Sequence, residues 1–288
     1  MSQRPLQATP LDTRGLVEVG GAESREFLQG LVTNDMDLVD PTRPIYAALL
    51  TPQGKFLHDF IIVQIGEALV LDTERTRVAE LVRRLTMYRL RAKVDLRDIS
   101  GEMTVCAVFG EGAGGVARAG LGAFVADPRS PALGYRLYST TDPCAQLESL
   151  GALVVSAERY DAMRVELGIP DGSRDIPVDK SFPLEYGFDS LGAVSYDKGC
   201  YVGQELTART HNRGKVKKGL YRLAFDSALP IAGTDILMGD TVVGEVLSGS
   251  GHFALAHMRI DAVGSNQPLR AGSAPVADST VAPISANR

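Results

Sequence analysis

Lys198-Gly199-Cys200-Tyr201-Val202-Gly203-Gln204-Glu205 sets a cysteine between two glycines in a run rich in polar groups. A cation two residues before a thiol, together with backbone N–H groups freed by glycine, stabilises a thiolate. Lys198 and Cys200 are therefore candidates for chemistry. A free cysteine is most often a small buried hydrophobe, so spacing alone leaves Cys200 open between a reactive and a packed thiol. The other two cysteines are easier to read. Cys106, in Thr104-Val105-Cys106-Ala107-Val108-Phe109, has the setting of a core residue. Cys144 follows Pro143, which can open a short helix, and nothing nearby would activate its thiol.

Downstream of the motif, no carboxylate occurs between Leu206 and Phe225, whereas Arg209, His211, Arg213, Lys215, Lys217, Lys218 and Arg222 all fall there. Such a run either attracts a polyanion or guards a strand edge with lysines. Tyr221, Leu223 and Phe225 alternate with small or polar residues, so the run leads into a strand. Short apolar stretches then alternate with turns at Gly233, Gly239-Asp240, Gly244 and Gly249-Ser250-Gly251, the pattern of a small β-barrel or sandwich with a last strand near Val276 to Val281.

Upstream, Gly15 to Val19 reads as a strand, followed by a helix carrying Phe27, Leu28, Leu31 and Val32 and ended by Thr33-Asn34-Asp35. The run ending at Leu50, the run Phe56 to Val63 and the run Leu69 to Leu71 are separated by turns at Pro52–Gly54 and Gly66-Glu67, which makes an antiparallel meander. A helix with Val78, Leu81, Val82, Leu85 and Tyr88 on one stripe follows, with Thr73 as the expected cap. Its other face, with Arg75, Arg77, Arg83 and Arg84, reads as solvated. Strands are expected near 103–109, 121–126, 134–139 and 152–155, with a short helix near 143–150. Gly110 to Gly115 lacks the Lys-Ser/Thr of a phosphate loop and reads as a flexible turn. A helix after Ser156 carries Tyr160, Met163 and Leu167 on one side, which leaves Arg164 and Glu166 as an exposed charged pair.

Composition bounds the function. The chain has 288 residues, 44% hydrophobic and 23% charged, enough for two or three domains. A net charge of −5 argues against nucleic acid as a partner of the whole molecule. Three cysteines without framework spacing point to a reducing compartment, and with neither an apolar leader nor a stretch of membrane-spanning length the expectation is a soluble cytoplasmic protein. The histidines never sit at zinc-finger spacing, so no self-contained metal site is expected.

Taken together, several elements resemble the YgfZ family, folate-binding relatives of the glycine-cleavage T-protein that serve iron–sulfur enzymes. They are Leu16–Val19 through Phe27–Asp35, Thr51-Pro52-Gln53-Gly54-Lys55, Tyr88-Arg89-Leu90-Arg91-Ala92-Lys93-Val94, Arg164-Val165-Glu166-Leu167-Gly168-Ile169-Pro170, Pro183-Leu184-Glu185 and Lys198–Glu205. The T-protein's own motif resembles Lys-x-x-Phe-Ile-Gly-x-Glu and lacks the cysteine, and its catalytic aspartate aligns near Ala79 here. Both departures set this chain on the iron–sulfur side. The resemblance implies an α+β fold, three T-protein-like domains in a ring with antiparallel sheets and helices. These would be 1–45 with 156–212 as a discontinuous first domain, 46–155 as a ferredoxin-like domain and 213–288 as a β-barrel. It also implies tetrahydrofolate bound through Glu166, with Arg164, Asn34, Gln53, Tyr201, Gln204 and Arg209 as further candidates, because a carboxylate accepts paired N–H donors from a pterin edge.

Three functions follow as expectations. The first is a tetrahydrofolate-binding factor that assists assembly or repair of iron–sulfur clusters in client enzymes, tRNA-modifying radical enzymes among them. Cys200 would then be one ligand of a transient shared cluster or a transfer thiol. The second is a folate-dependent aminomethyl- or methyltransferase, for which Asp72, Glu74 or Glu80 would have to replace the missing carboxylate. The third is a noncatalytic folate-sensing module docking through the basic patch around Arg213 and Lys217.

Overall fold

Two strands open the chain, β1 (Gln7–Pro10) and β2 (Arg14–Gly20), followed by the short helix α1 (Ser24–Gln29). The meander comes next as β3 (Ile45–Leu50), β4 (Phe56–Ile65) and β5 (Ala68–Glu74), with helix α2 (Val78–Arg89) and strand β6 (Asp95–Asp98) behind it. These strands form one sheet in the order β3-β4-β5-β2-β6. Strands β7 (Thr104–Phe109), β8 (Ala123–Ala126), β9 (Tyr135–Ser139) and β10 (Leu153–Val154) join β1 in a second sheet, ordered β10-β1-β7-β9-β8, with helix α3 (Cys144–Ser149) beside it. The computed structural model describes residues 5–214, 216–263, 265, 267–277 and 282–283.

Successive strand residues face opposite sides of a sheet, and the first sheet uses both sides. Val17, Val19, Ala47, Leu49, Phe60, Ile62, Leu69 and Leu71 pack with Leu28 of α1 and Leu81 and Leu85 of α2 in one apolar core. The residues between them in the strands include Tyr46, Asp59 and Asp72, which are buried and polar. Their partners include one another, Arg14 of β2 and residues of the second sheet. Tyr46 donates to Asp59 at 2.7 Å, and Arg136 and Tyr138 of β9 reach Asp72 at 2.7 and 2.9 Å. The second sheet has its own core of Ala8, Cys106, Val108, Leu137 and Leu147.

By its contacts the chain divides into two compact units. The sheets above belong to the first, which comprises Met1–Leu50, Leu57–Ala157 and Gly192–Val202. The second comprises Thr51–Phe56, Glu158–Leu191 and Gly203–Arg288. It contains most of helix α4 (Ala157–Glu166), then α5 (Gly172–Asp175) and α6 (Gln204–Arg213). Beyond them come β11 (Lys218–Ala224), β12 (Asp235–Met238), β13 (Thr241–Ser250), β14 (Phe253–Arg259), α7 (Ile260–Val263), β15 (Leu269–Ala271), β16 (Ala274–Pro275) and β17 (Ala282–Pro283). The strands form one sheet, β16-β15-β12-β13-β14-β11-β17, around Tyr221, Leu223, Phe225, Ile236, Val246, Ala256 and Met258. The expected final strand reaches into residues 278–281, which lie outside the described residues.

The fold is mixed α+β, with antiparallel sheets, helices and a C-terminal β domain, as the sequence predicts. Several local expectations change. Residues 1–45 and 46–155 do not separate into domains of their own, because β2 pairs with β5 along its length. Thr73 caps no helix; it lies in β5 and donates to the Asp59 carbonyl. Gly110 to Gly115 is not all turn, since a 3-10 helix runs over Ala113–Ala119. The basic run begins inside α6, a helix the sequence pattern does not announce because its few apolar residues form no stripe.

Candidate functional site

The motif that contains Cys200 crosses from the first unit, which ends at Val202, into the second, which resumes at Gly203. Its first half is tied to the loop after α1. Thr33 Oγ1 donates to the Ala193 carbonyl at 2.7 Å and the Ser195 N–H donates to the Thr33 carbonyl at 3.0 Å. Asn34 Nδ2 donates to the carbonyls of Tyr46 and Gly192, both at 2.8 Å, while its Oδ1 accepts from the Asp35 N–H. Both amide hydrogens of Asn34 are thus committed inside the protein. As a ligand candidate it is better placed to hold this loop than to reach a bound molecule.

Lys198 completes the attachment. Its ammonium donates to the carbonyls of Val32 at 2.8 Å and Asn34 at 2.7 Å, and it lies 5.2 Å from the centre of the Tyr201 ring. Burial pushes its pKa down to about 8, against the opposing pull of Asp35 and Asp37. Lys198 is therefore a buried strut, and the activation of Cys200 expected from its position in sequence has no counterpart among its contacts. Tyr201 is buried as well, whereas Cys200 itself is exposed. Cys106 is buried, with its thiol pushed up to about 12 by burial, and Cys144 is pushed up to about 11 by burial and the nearby Asp142. Of the three thiols, only Cys200 combines exposure with fixed flanks.

In the second unit, Gly54 has φ +73°, and a Cβ there would stand 3.1 Å from the Gly203 carbonyl oxygen and from Leu206 Cβ. Glycine lets the Thr51–Phe56 turn lie against the start of α6. Lys55 donates to the Lys180 carbonyl at 2.7 Å with its ammonium 3.5 Å from the Phe182 ring centre. Gln53 is exposed on this turn, Gln204 is half-buried at the first position of α6, and Arg209 is exposed one helix face away.

Arg164 and Glu166 are not the exposed pair expected from sequence. Arg164 is 3% exposed and bonds Asp161 at 2.7 Å, the Ile169 carbonyl at 2.8 Å, Asp175 at 2.9 Å and Ser248 Oγ at 2.8 Å. Its guanidinium is spent on joining α4, α5 and β13. Glu166, two residues on, projects from a different side of α4 and is half-buried in its last turn. Its backbone carbonyl accepts from Arg222 of β11, whose guanidinium lies 4.9 Å from the Phe253 ring centre. Glu166 is thus carried on a helix pinned at Arg164 and Arg222. Sequence reading missed Arg222 in this role; its position between the buried Tyr221 and Leu223 on a strand gave no sign of its partner.

Each of the three carboxylates that the transferase reading calls on has a partner within the first unit. Asp72 is buried among Arg14, Arg136 and Tyr138. Glu80 pairs with Arg77 at 2.7 Å, and Glu74 accepts from Thr76 at 3.0 Å. Ala79 lies on the exposed side of α2. Among the described residues no group of three or more His, Cys, Asp or Glu could hold a metal ion, and no helix is long and apolar enough to cross a membrane. Of the basic patch, Lys217 and Lys218 are exposed, while Lys215 and the Arg213 side chain lie outside the described residues.

Residues 10–129 match the GCVT N-terminal domain family and residues 217–282 match the CAF17 C-terminal beta-barrel domain. The iron-sulfur cluster assembly factor IBA57, mitochondrial, of Mus musculus is 33% identical over 282 residues, covering 88% of this chain and 77% of that protein. The human protein of the same name is 33% identical over 271 residues, covering 85% of this chain and 75% of its own length. The chain belongs to the IBA57/CAF17 family. IBA57/CAF17 proteins are relatives of the YgfZ family, so the resemblance read from the motifs is corrected to the neighbouring family. Both IBA57 relatives are named as mitochondrial, which overturns the expectation of a cytoplasmic protein. The fold is GcvT-like: the crystal structure of glycine cleavage system aminomethyltransferase T from Bartonella henselae superposes over 100% of this chain and 88% of its own, with TM-score 0.76 and 15% identity.

Proposed function

We propose that this chain is an iron–sulfur cluster assembly factor in which Cys200 presents its thiolate to cluster cargo or to a partner that carries it. The observation that carries the reading is an exposed thiol on a segment held on both sides, by Lys198 to the Val32 and Asn34 carbonyls and by the Val202 N–H to the Gly30 carbonyl at 3.3 Å. The family's assembly-factor relatives support it. One thiolate is one of the four protein ligands a cluster usually takes, so the remainder must come from a partner of the assembly machinery, a client or a small thiol. Clients include tRNA-modifying radical enzymes in this reading.

Tetrahydrofolate is the proposed small-molecule ligand. Glu166 would accept the paired N–H donors of its pterin, with Gln53, Gln204 and the exposed Arg209 as further polar contacts, Arg209 toward a glutamate tail. Arg164 holds the helix that carries Glu166 rather than touching the ligand, and Asn34 and Tyr201 are left to the Cys200 segment of the first unit. The commitment of Asp72, Glu74 and Glu80 to other partners argues against a transferase, which needs a carboxylate at the folate nitrogens.

The test is complementation of a deletion strain by Cys200→Ala, read as client-enzyme activity. Loss of activity with normal protein level is expected; full restoration would remove the thiol role.

A further inference from the structure

The last turn of α2 ends in a way that folding alone does not favour. Leu90, which follows the helix, has φ +44° and ψ −104°, a backbone conformation that side-chain-bearing residues rarely adopt. Asp179 is the other non-glycine residue with positive φ among the described residues. Such strain persists where the surroundings impose it, and it clusters at sites of function. Here it also aims a large apolar side chain at water: Leu90 is 88% exposed, and Met87, one turn earlier, is 66% exposed. The buried face of the same helix, Val78, Leu81 and Leu85, is already spent on the core.

Cations flank this apolar tip in the chain. Arg83, Arg91 and Lys93 are exposed and Arg89 is half-buried, and among the described residues none of these four side chains makes a salt bridge. Glu23 accepts from the Lys93 backbone N–H at 3.0 Å. Elsewhere the chain is acidic, with a net charge of −5. Two exposed apolar side chains flanked in sequence by arginines without a salt bridge are complementary to a partner surface that offers carboxylates beside an apolar residue. The small apolar area favours a protein over a lipid surface, because a helix lying in a membrane exposes an apolar face over its whole length.

We propose that the Met87–Leu90 tip is a docking site for an acidic protein partner that seats an apolar side chain among Arg83, Arg89 and Arg91. The strained Leu90 separates docking from folding. Glycine at this position relieves the backbone and removes the apolar contact, so Leu90→Gly keeps or raises thermal stability while weakening docking.

The experiment places a photoreactive benzoylphenylalanine at Met87 of the full chain, with a control at exposed Glu111 in the turn before the 3-10 helix, and identifies the crosslinked species by mass spectrometry. Any protein captured is then purified and titrated against the wild type, Leu90→Gly and the double variant Arg89→Glu/Arg91→Glu. An acidic protein captured at position 87 and not at 111 is expected, with affinity falling about tenfold or more in each variant, the scale of a lost hot-spot contact. Raising salt to about 1 M, where charges are screened over about 3 Å, should weaken it likewise. Equal capture at both positions, capture of lipid or of a basic protein, or affinity unchanged in the variants would overturn the proposal. So would a fall in thermal stability of Leu90→Gly large enough to account for the binding loss.

Discussion

Arg136 of β9 and Asp72 of β5 form a 2.7 Å ion pair across the two sheets of the first unit, with side chains 2% and 0% exposed. Arg14 bonds the other oxygen of Asp72 at 2.6 Å, and Tyr138 donates at 2.9 Å to the same oxygen as Arg136. Arg136 in turn reaches Asp127, which Arg129 holds through both oxygens at 2.9 and 2.7 Å. Buried charges are tolerated when each is paired and its hydrogen bonds are made, and every member here has several partners. Removing one of them leaves the others uncompensated. Asp72→Ala should cost about 3–5 kcal/mol of unfolding free energy, measured by urea titration. Burial acts to raise the pKa of Asp72, yet Arg14 and Arg136 hold it below the ordinary carboxylate value. A depressed carboxylate stabilises the fold above its unfolded pKa and loses that contribution as pH falls through the folded one. The acid unfolding midpoint of the wild type should accordingly lie below that of a variant with the network dismantled.

Lys198 gives the same sign in an alkaline window, because its charge is burdened rather than favoured by its surroundings. Its folded pKa of about 8 lies below that of an exposed lysine, so between the two values the unfolded chain binds more protons. Stability attributable to Lys198 therefore rises as pH increases above about 8 and levels off near about 10.4. The gap in urea midpoint between wild type and Lys198→Met should grow in favour of wild type across that window. A gap that shrinks would mean the ammonium is stabilised rather than burdened by its surroundings. Because Lys198 ties the Cys200 segment to the Val32 and Asn34 carbonyls, the same variant should loosen that segment and raise amide exchange at Gly199 and Cys200.

Native alkylation should find one reactive thiol. A group with a pKa of about 11, as at Cys144, is ionised to about one part in ten thousand at neutral pH, and Cys106 is buried besides. Iodoacetamide at neutral pH should modify Cys200 and leave the other two until denaturant is added, as peptide mass mapping would read. Slow labelling of Cys200 would favour the packed-thiol reading that sequence alone left open.

Much of this was legible in the chain. Alternation in Gly15–Val19 and Phe56–Val63, the stripe Val78-Leu81-Leu85 and the glycine-punctuated tail each report local burial, and burial is what the fold enforces. The motif around Cys200 likewise singles out the exposed thiol. What sequence could not supply was the partner of each charge. Arg164 and Lys198 look like surface residues by type, but both are buried because their partners lie far away in sequence, at Asp175 and Ser248 for one and Val32 and Asn34 for the other. The same distance misled the reading of Lys198 as an activator of Cys200: adjacency along the chain says little once a side chain turns to the other side of its segment. The family assignment shifted from YgfZ to IBA57/CAF17 for a related reason, since the quoted motifs are short and the distinguishing similarity is spread over most of the chain.

Arg164 and Glu166, neighbours on α4, should separate in function. Arg164→Gln leaves Asp175 and Ser248 without their buried cation, so it should destabilise the second unit by about 3–5 kcal/mol. Glu166→Gln changes a half-buried side chain at the helix end and should shift stability by about 1 kcal/mol or less. Folate binding should respond in the reverse order when measured on folded protein. Loss of a charge-assisted pair of hydrogen bonds costs about 1.5–3 kcal/mol, so tetrahydrofolate affinity of Glu166→Gln by calorimetry should fall roughly tenfold to a hundredfold. Arg222→Lys tests the support behind it. Lysine keeps a cation near Phe253 but lacks the planar fork that reaches the Glu166 carbonyl, and an intermediate loss of affinity with little change in stability is expected. If Glu166→Gln binds tetrahydrofolate as tightly as the wild type, the carboxylate is not the pterin acceptor and the folate reading loses its main residue, while the role assigned to Cys200 stands apart from that result.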